Sequence, residues 1–295
     1  MRYTKGANRE FKDRLFKFIF GNPEHKDWTL SLCNALLGTN YSDADAIEFT
    51  TIEDAVYMRM KNDVSLLLHG EMLFMEQQST RNPNMPARFF EYSGMAYGRF
   101  MEQSPTFDLF STKLQKLPTP YFFCLYNGTD KEEDRRVSRL SDAFMGDSGG
   151  RLELLVEMIN INYGRNKELL DACSPLKEYS FFVERTRYHF KTTNSLEIAL
   201  DAALIDLPDD AVLKPFLFAN RSEVKTMCIT EYDEEKTLRG RYEEGLEEGI
   251  EKGIEKGRIK MLAELVKDGI ITIVQAANSA KMTEEEFIEK AELRA

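Results

Sequence analysis

Asp63, Glu76 and Gln78 are the residues of this chain whose types and spacing can do chemistry. They bracket the run Asp63-Val-Ser-Leu-Leu-Leu-His-Gly-Glu-Met-Leu-Phe-Met-Glu-Gln-Gln78, which reads as one β-hairpin. With His69-Gly70 as a two-residue turn, Leu68 pairs with Glu71, and counting outward sets Asp63 opposite Glu76. With Gly70-Glu71 as the turn, Gln78 faces Asp63 instead. Side-chain direction has a period of two, so either register gathers all three on one face. Directly opposed Cβ atoms lie about 4.5–5.5 Å apart, where like charges repel and a bound cation brings relief. Two carboxylates suit a hard, oxygen-seeking ion such as Mg²⁺ or Mn²⁺. Such an ion activates water and neutralises charge on a phosphodiester under attack. Gln78 is neither a base nor a cation, but its amide can orient the water or a phosphate oxygen. The competing reading is an acidic strand end of no chemical use.

The strands that carry these groups are apolar on both faces. Val64, Leu66, Leu68, Leu73 and Met75 lie on one, and Leu67, Met72 and Phe74 on the other. Such strands belong in the middle of an α/β or α+β sheet, covered on both sides. After Ser79-Thr80-Arg81-Asn82-Pro83-Asn84 a long helix is predicted over about 86–103, with Pro86 in its first turn. Arg88 and Tyr92, four apart, face the same way on it. Arg88 is a candidate phosphate contact, with helix-surface solvation or a structural salt bridge as the alternatives.

Upstream, the spacing of Phe11, Leu15, Phe18 and Ile19 predicts a helix over 8–20, and a second is predicted over about 24–37 with Trp28 and Leu32 inward. The first helix carries the charged positions Glu10, Asp13 and Lys17, of which Asp13 and Lys17 have the spacing of an i,i+4 surface pair. Strands are expected near 47–51, 56–60, 119–126 and 152–161, with Asn127-Gly128 as a turn signal. Residues 166–220 read as mainly helical.

Composition narrows the function. The net charge is −11, so this is no globally basic nucleic-acid binder, and any DNA contact needs a local patch or a divalent ion. Four cysteines (Cys33, Cys124, Cys173, Cys228) without Cys-x-x-Cys spacing, and three histidines, remove the basis for a zinc site or disulfide framework. They read as small buried thiols. No apolar run is long enough to span a membrane and no signal-peptide pattern opens the chain, so a soluble cytoplasmic protein is expected.

From Glu243 the composition changes: Gly245, Gly249, Gly253 and Gly257 recur every four residues, followed by Leu246, Ile250, Ile254 and Arg258. On a helix these form adjacent bare and aliphatic stripes. Each interior glycine costs about 1 kcal/mol relative to alanine, which packing against another helix can offset. The segment is therefore either a solvated linker or a homo-oligomer contact. Residues 259–295 form a small helical segment with a capping box at Thr283 and Glu286 and no basic face.

Several short motifs resemble the Rpn family of recombination-promoting nucleases, also described as PD-(D/E)XK nuclease family transposases. They are Asp13-Arg-Leu-Phe-Lys17, Asn62-Asp-Val-Ser65, Glu76-Gln-Gln-Ser-Thr80 with Met85-Pro-Ala-Arg88, and Tyr126-Asn-Gly128. Leu140-Ser-Asp-Ala-Phe144, Ile159-Asn-Ile-Asn162 and Asn166-Lys-Glu-Leu169 follow in the same order, and the glycine-every-four tail is similar to the family's C-terminal ends. The resemblance implies an α/β (α+β) fold, a restriction-endonuclease-like mixed sheet flanked by helices, with a helical C-terminal extension. It implies a nuclease domain over 1–230, the glycine-striped segment over 231–258 and the small helical segment over 259–295. It also implies divalent-metal-dependent DNA cleavage, with Asp63 and Glu76 as metal ligands, Asp13 assisting, and Lys17 and Arg88 as weak DNA contacts. Gln78 stands where the wider superfamily carries lysine. The rival reading is a nuclease-fold protein that cleaves weakly or not at all and works by oligomerisation and binding.

Overall fold

His69 and Gly70 both take left-handed backbone conformations, with φ of 49° and 84°. Two consecutive positive φ values are what a type I′ hairpin turn requires, and glycine meets that demand without a Cβ clash. The turn joins β2 (Val64–Leu68) to β3 (Glu71–Gln78), and Leu68 pairs with Glu71 out to Val64 with Met75. The register is thus the one set by a His69-Gly70 turn. The computed structural model describes residues 14–50, 64–146 and 149–291. Asp13, Glu10, Asp63 and the strand expected near 56–60 lie outside the described residues.

In chain order the elements around this hairpin begin with α1 (Arg14–Phe20), α2 (Lys26–Leu37) and the short β1 (Glu48–Phe49). After β3 come α3 (Met85–Gln103), β4 (Thr119–Tyr126), β5 (Arg135–Arg139) and β6 (Leu155–Asn160). Four helices follow: α4 (Lys167–Ala172), α5 (Ser174–Thr193), α6 (Leu196–Asp206) and α7 (Leu213–Ala219). Then α8 runs from Arg221 to Lys267, with α9 (Ile273–Ala280) and α10 (Glu284–Lys290) behind it.

Among the described residues the strands form one six-stranded mixed sheet in the order β1-β2-β3-β4-β6-β5. β3, β4 and β6 run parallel, so their C-terminal ends share one end of the sheet, and β1, β2 and β5 pair antiparallel. The period-two pattern divides β3 between two cores. Leu73 and Met75 join Val64, Leu66, Leu68, Phe123 and Leu125 against α1, α2 and α5, while Met72 and Phe74 join Phe89, Tyr92, Phe122 and Tyr126 beneath α3. Fully burying each such side chain contributes about 1.5–3 kcal/mol. The sheet is therefore covered on both faces, as the apolar strand interiors predict, and the architecture is mixed α/β.

β5 was not expected. Its residues alternate exposed and half-buried along an edge, with Arg135, Val137 and Arg139 outward, and a polar edge strand lacks the apolar signal that marks the others. β6 starts three residues later than the predicted Leu152, which is exposed. Cys33, Cys124 and Cys173 are buried and Cys228 half-buried, all as free thiols, and burial pushes the Cys33 thiol up to about 12. No helix among the described residues is long and apolar enough to cross a membrane.

The chain divides into two compact units between Tyr232 and Asp233. α8 continues unbroken through 258/259, where the composition had placed a boundary. Within the second unit, Ile259, Leu262, Ala263, Ala276, Ala277 and Phe287 form a small core. The capping box at Thr283 and Glu286 is present, and Thr272 with Gln275 forms another.

Candidate functional site

Glu76 and Gln78, two apart on β3, point to the same face, the one that packs under α3. Met72 and Phe74 on that face are enclosed by Phe89 and Tyr92. The apolar strand thereby carries Glu76 inside, where its carboxylate has no solvent exposure. Gln78 Nε2 donates to Glu76 Oε1 at 2.7 Å. On the other flank of β3 the parallel ladder sets Cys124 beside Glu76 and Tyr126 beside Gln78.

Arg88 reaches the same carboxylate from the first turns of α3 and forms an ion pair with Glu76 Oε1. The helical spacing puts Tyr92 one turn further on, and its hydroxyl accepts from Arg88 Nε at 3.3 Å and from a terminal guanidinium nitrogen at 3.1 Å. Met85 Sδ lies 3.7 Å from the remaining nitrogen. The guanidinium is thus held over Glu76 by partners on its own helix, and 22% of the side chain remains exposed. A buried carboxylate bonded to a partly exposed arginine makes a charged group that solvent reaches from one side.

The structure therefore brings Glu76, Gln78 and Arg88 together. Arg88 forms an ion pair with the candidate metal ligand Glu76. The stem of Lys17 lies beside Gly21, and Gly21 in turn lies near Val64, the residue after Asp63. Asp63, bonded to Val64, and Asp13, bonded to Arg14, are outside the described residues. Among the described residues no three His, Cys, Asp or Glu side chains cluster.

Comparison with known proteins gives no family. No protein-family model, no curated protein and no solved structure matches the chain.

Sequence reasoning missed Tyr92 as a hydrogen-bond acceptor for Arg88, although the four-residue spacing placed both on one face. It also missed Gln77. That residue is buried on the opposite face from its two neighbours, and its Nε2 donates to Asn127 Oδ1. It stands in the polar run Glu76-Gln77-Gln78, where its two neighbours on the other face drew the attention. Gly128 was read as a turn glycine, yet a Cβ there would lie 2.0 Å from the Ser79 carbonyl oxygen. Close approach of two strand ends requires that glycine.

Proposed function

We propose that this chain is a divalent-metal-dependent DNA endonuclease of the Rpn type, built on a restriction-endonuclease-like core. It would act in the cytoplasm on phosphodiester bonds, in recombination, mobile-element traffic or genome defence. The observation that carries the reading is Glu76, a fully buried carboxylate at the end of an apolar strand, on one face with Gln78. Taking a carboxylate out of water costs several kcal/mol even after relaxation, and sequences break the apolar pattern in this way chiefly at functional sites.

The donors are all oxygen, namely the Glu76 carboxylate and the Gln78 amide, with Asp63 directly before the strand residue whose partner is Met75. Hard donors of this kind fit Mg²⁺ or Mn²⁺, and Asp63 and Glu76 are the residues that would hold the ion. When bound, it supplies activation of water and charge neutralisation at the phosphodiester. Arg88 offers a planar guanidinium able to pair with a phosphate oxygen once it leaves Glu76. Gln78, tied to Glu76, orients without transferring a proton.

The test is nicking of supercoiled plasmid with Mg²⁺ and with EDTA by the wild type, Asp63→Ala and Glu76→Ala. Both variants are expected to lose the metal-dependent activity. Nicking that survives EDTA, or that is undiminished in both variants, overturns the assignment.

A second reading, a non-cleaving protein that binds and oligomerises through its glycine-striped helix, has its own support. Arg88 already engages the Glu76 carboxylate, and Leu246, Ile250 and Ile254 are 52%, 54% and 67% exposed. Light scattering on the full chain with Leu246→Ser, Ile250→Ser and Ile254→Ser decides it: an unchanged mass removes the case.

A further inference from the structure

Asn127 stands directly after β4 and is 5% exposed. Its main-chain and side-chain polar groups all find partners, and the partners come from two elements. From β3, the Gln78 carbonyl accepts from the Asn127 main-chain N–H at 3.0 Å and Gln77 Nε2 donates to Asn127 Oδ1. From α5, the Tyr179 hydroxyl accepts from Asn127 Nδ2 at 3.1 Å and the Arg187 guanidinium donates to the Asn127 carbonyl. Arg187 is held in turn, since its other terminal nitrogen donates to Asn162 Oδ1 at 3.0 Å. Asn162 Nδ2 donates onward to the Gly128 carbonyl at 3.0 Å.

The place of Gln77 gives this arrangement its leverage. It sits between Glu76 and Gln78 and points to the opposite face, so any rotation of the strand about Gln77 swings both neighbours. Fixing the Gln77 side chain from one face and the Gln78 carbonyl from the strand edge leaves the segment no such rotation. Catalytic groups must be held to within about 0.5 Å by a surrounding shell of this kind, and a shift of about 1 Å can cost on the order of 100-fold in rate.

We infer that Asn127 is a positioning residue for the Glu76–Gln78 site, acting through the Gln77 side chain and the Gln78 main chain without touching the Glu76 carboxylate. The inference rests on the nuclease reading above.

The experiment compares wild type, Asn127→Ala, Asn127→Asp and Tyr179→Phe in plasmid nicking with Mg²⁺, together with hydrogen–deuterium exchange of the hairpin. Asn127→Ala is expected to lower kcat by about tenfold or more with KM for plasmid changed by less than about twofold, the pattern of lost transition-state geometry. Asn127→Asp keeps the Oδ1 acceptor and both main-chain bonds, and the Tyr179 hydroxyl can turn to donate, so kcat returns to within about threefold of wild type. Exchange in Asn127→Ala quickens at residues 76–79 and is unchanged at 66–72.

A wild type that does not nick overturns the nuclease reading and this inference with it. A nicking wild type and an Asn127→Ala of equal kcat per folded molecule overturn the inference alone, as does faster exchange along the whole hairpin. Should Asn127→Ala not fold, Tyr179→Phe decides: a fall in kcat of about threefold at constant KM supports positioning, and no fall overturns it.

Discussion

Replacing Arg88 by alanine tests the central pair of the site. The substitution removes the Arg88 guanidinium from the Glu76 carboxylate, which has no exposure. It also removes two donors from the Tyr92 hydroxyl. Breaking a buried ion pair by deleting one member costs about 3–5 kcal/mol. Because 22% of Arg88 is exposed, water can follow the truncated side chain inward, which sets the expectation at the lower end, about 3 kcal/mol. For a unit of this size that lowers Tm by about 6–12 °C. Glu76→Gln keeps the shape without the charge and leaves Arg88 able to reach water, so it costs about 1 kcal/mol. The double variant should therefore be more stable than Arg88→Ala alone, a coupling that urea melts of the four proteins measure. The site's chemistry adds a second expectation, because Mg²⁺ at a hundredfold its Kd stabilises a folded protein by about 2.7 kcal/mol. Arg88→Ala should recover most of that amount on adding Mg²⁺, and Glu76→Gln should recover none. Additive costs in the cycle, or a loss under about 1 kcal/mol for Arg88→Ala, would refute the argument that this pair is buried and coupled.

Two further outcomes follow from geometry on the page. Gly128→Ala places a methyl 2.0 Å from the Ser79 carbonyl oxygen, a main-chain atom that cannot step aside, and calorimetry should register a loss of at least about 1–3 kcal/mol. Asp206 accepts from Arg185 Nε and lies against His189 Nε2, each at 2.6 Å. Burial pushes its carboxyl up, but the bonds from His189 and Arg185 outweigh that and leave it lowered from 3.8. Its contribution is therefore present above the unfolded value and lost as pH falls through the lower folded value. Asp206→Asn should cost about 0.5–1 kcal/mol at pH 7 and progressively less below pH of about 4, which urea melts across that range will show.

The hairpin was legible because its signals are local. Two apolar runs, Val64–Leu68 and Met72–Met75, about a turn glycine mark the hairpin without reference to any other element, while the choice between its two registers came only with the structure. β4 was legible for the same reason, as an apolar run ending at Asn127-Gly128. The pairing of Glu76 with Arg88 was not, since it depends on α3 folding back over β3, and spacing along the chain records only that Arg88 and Tyr92 share a helix face. Nor was the Asn127 arrangement, whose partners Gln77 on β3 and Tyr179 and Arg187 on α5 come from two stretches far apart in sequence. Long-range polar contacts leave little periodic trace, and β5 left none because its outward residues are those of an ordinary exposed segment.

The hairpin's register has a kinetic side. Glu71 meets Leu68 across a two-residue turn, whereas Met75 meets Phe123 on its other flank only after a loop of roughly fifty residues has closed. By chain-closure entropy alone the second step costs roughly 2 kcal/mol more than the first. Glu76 lies on that expensive flank and at the end of β3 farthest from the turn, so its surroundings are completed only when β4 arrives. A growing chain can thus zip its hairpin while the carboxylate is still open to water, and the segment the ribosome has yet to release holds the last pieces of the site.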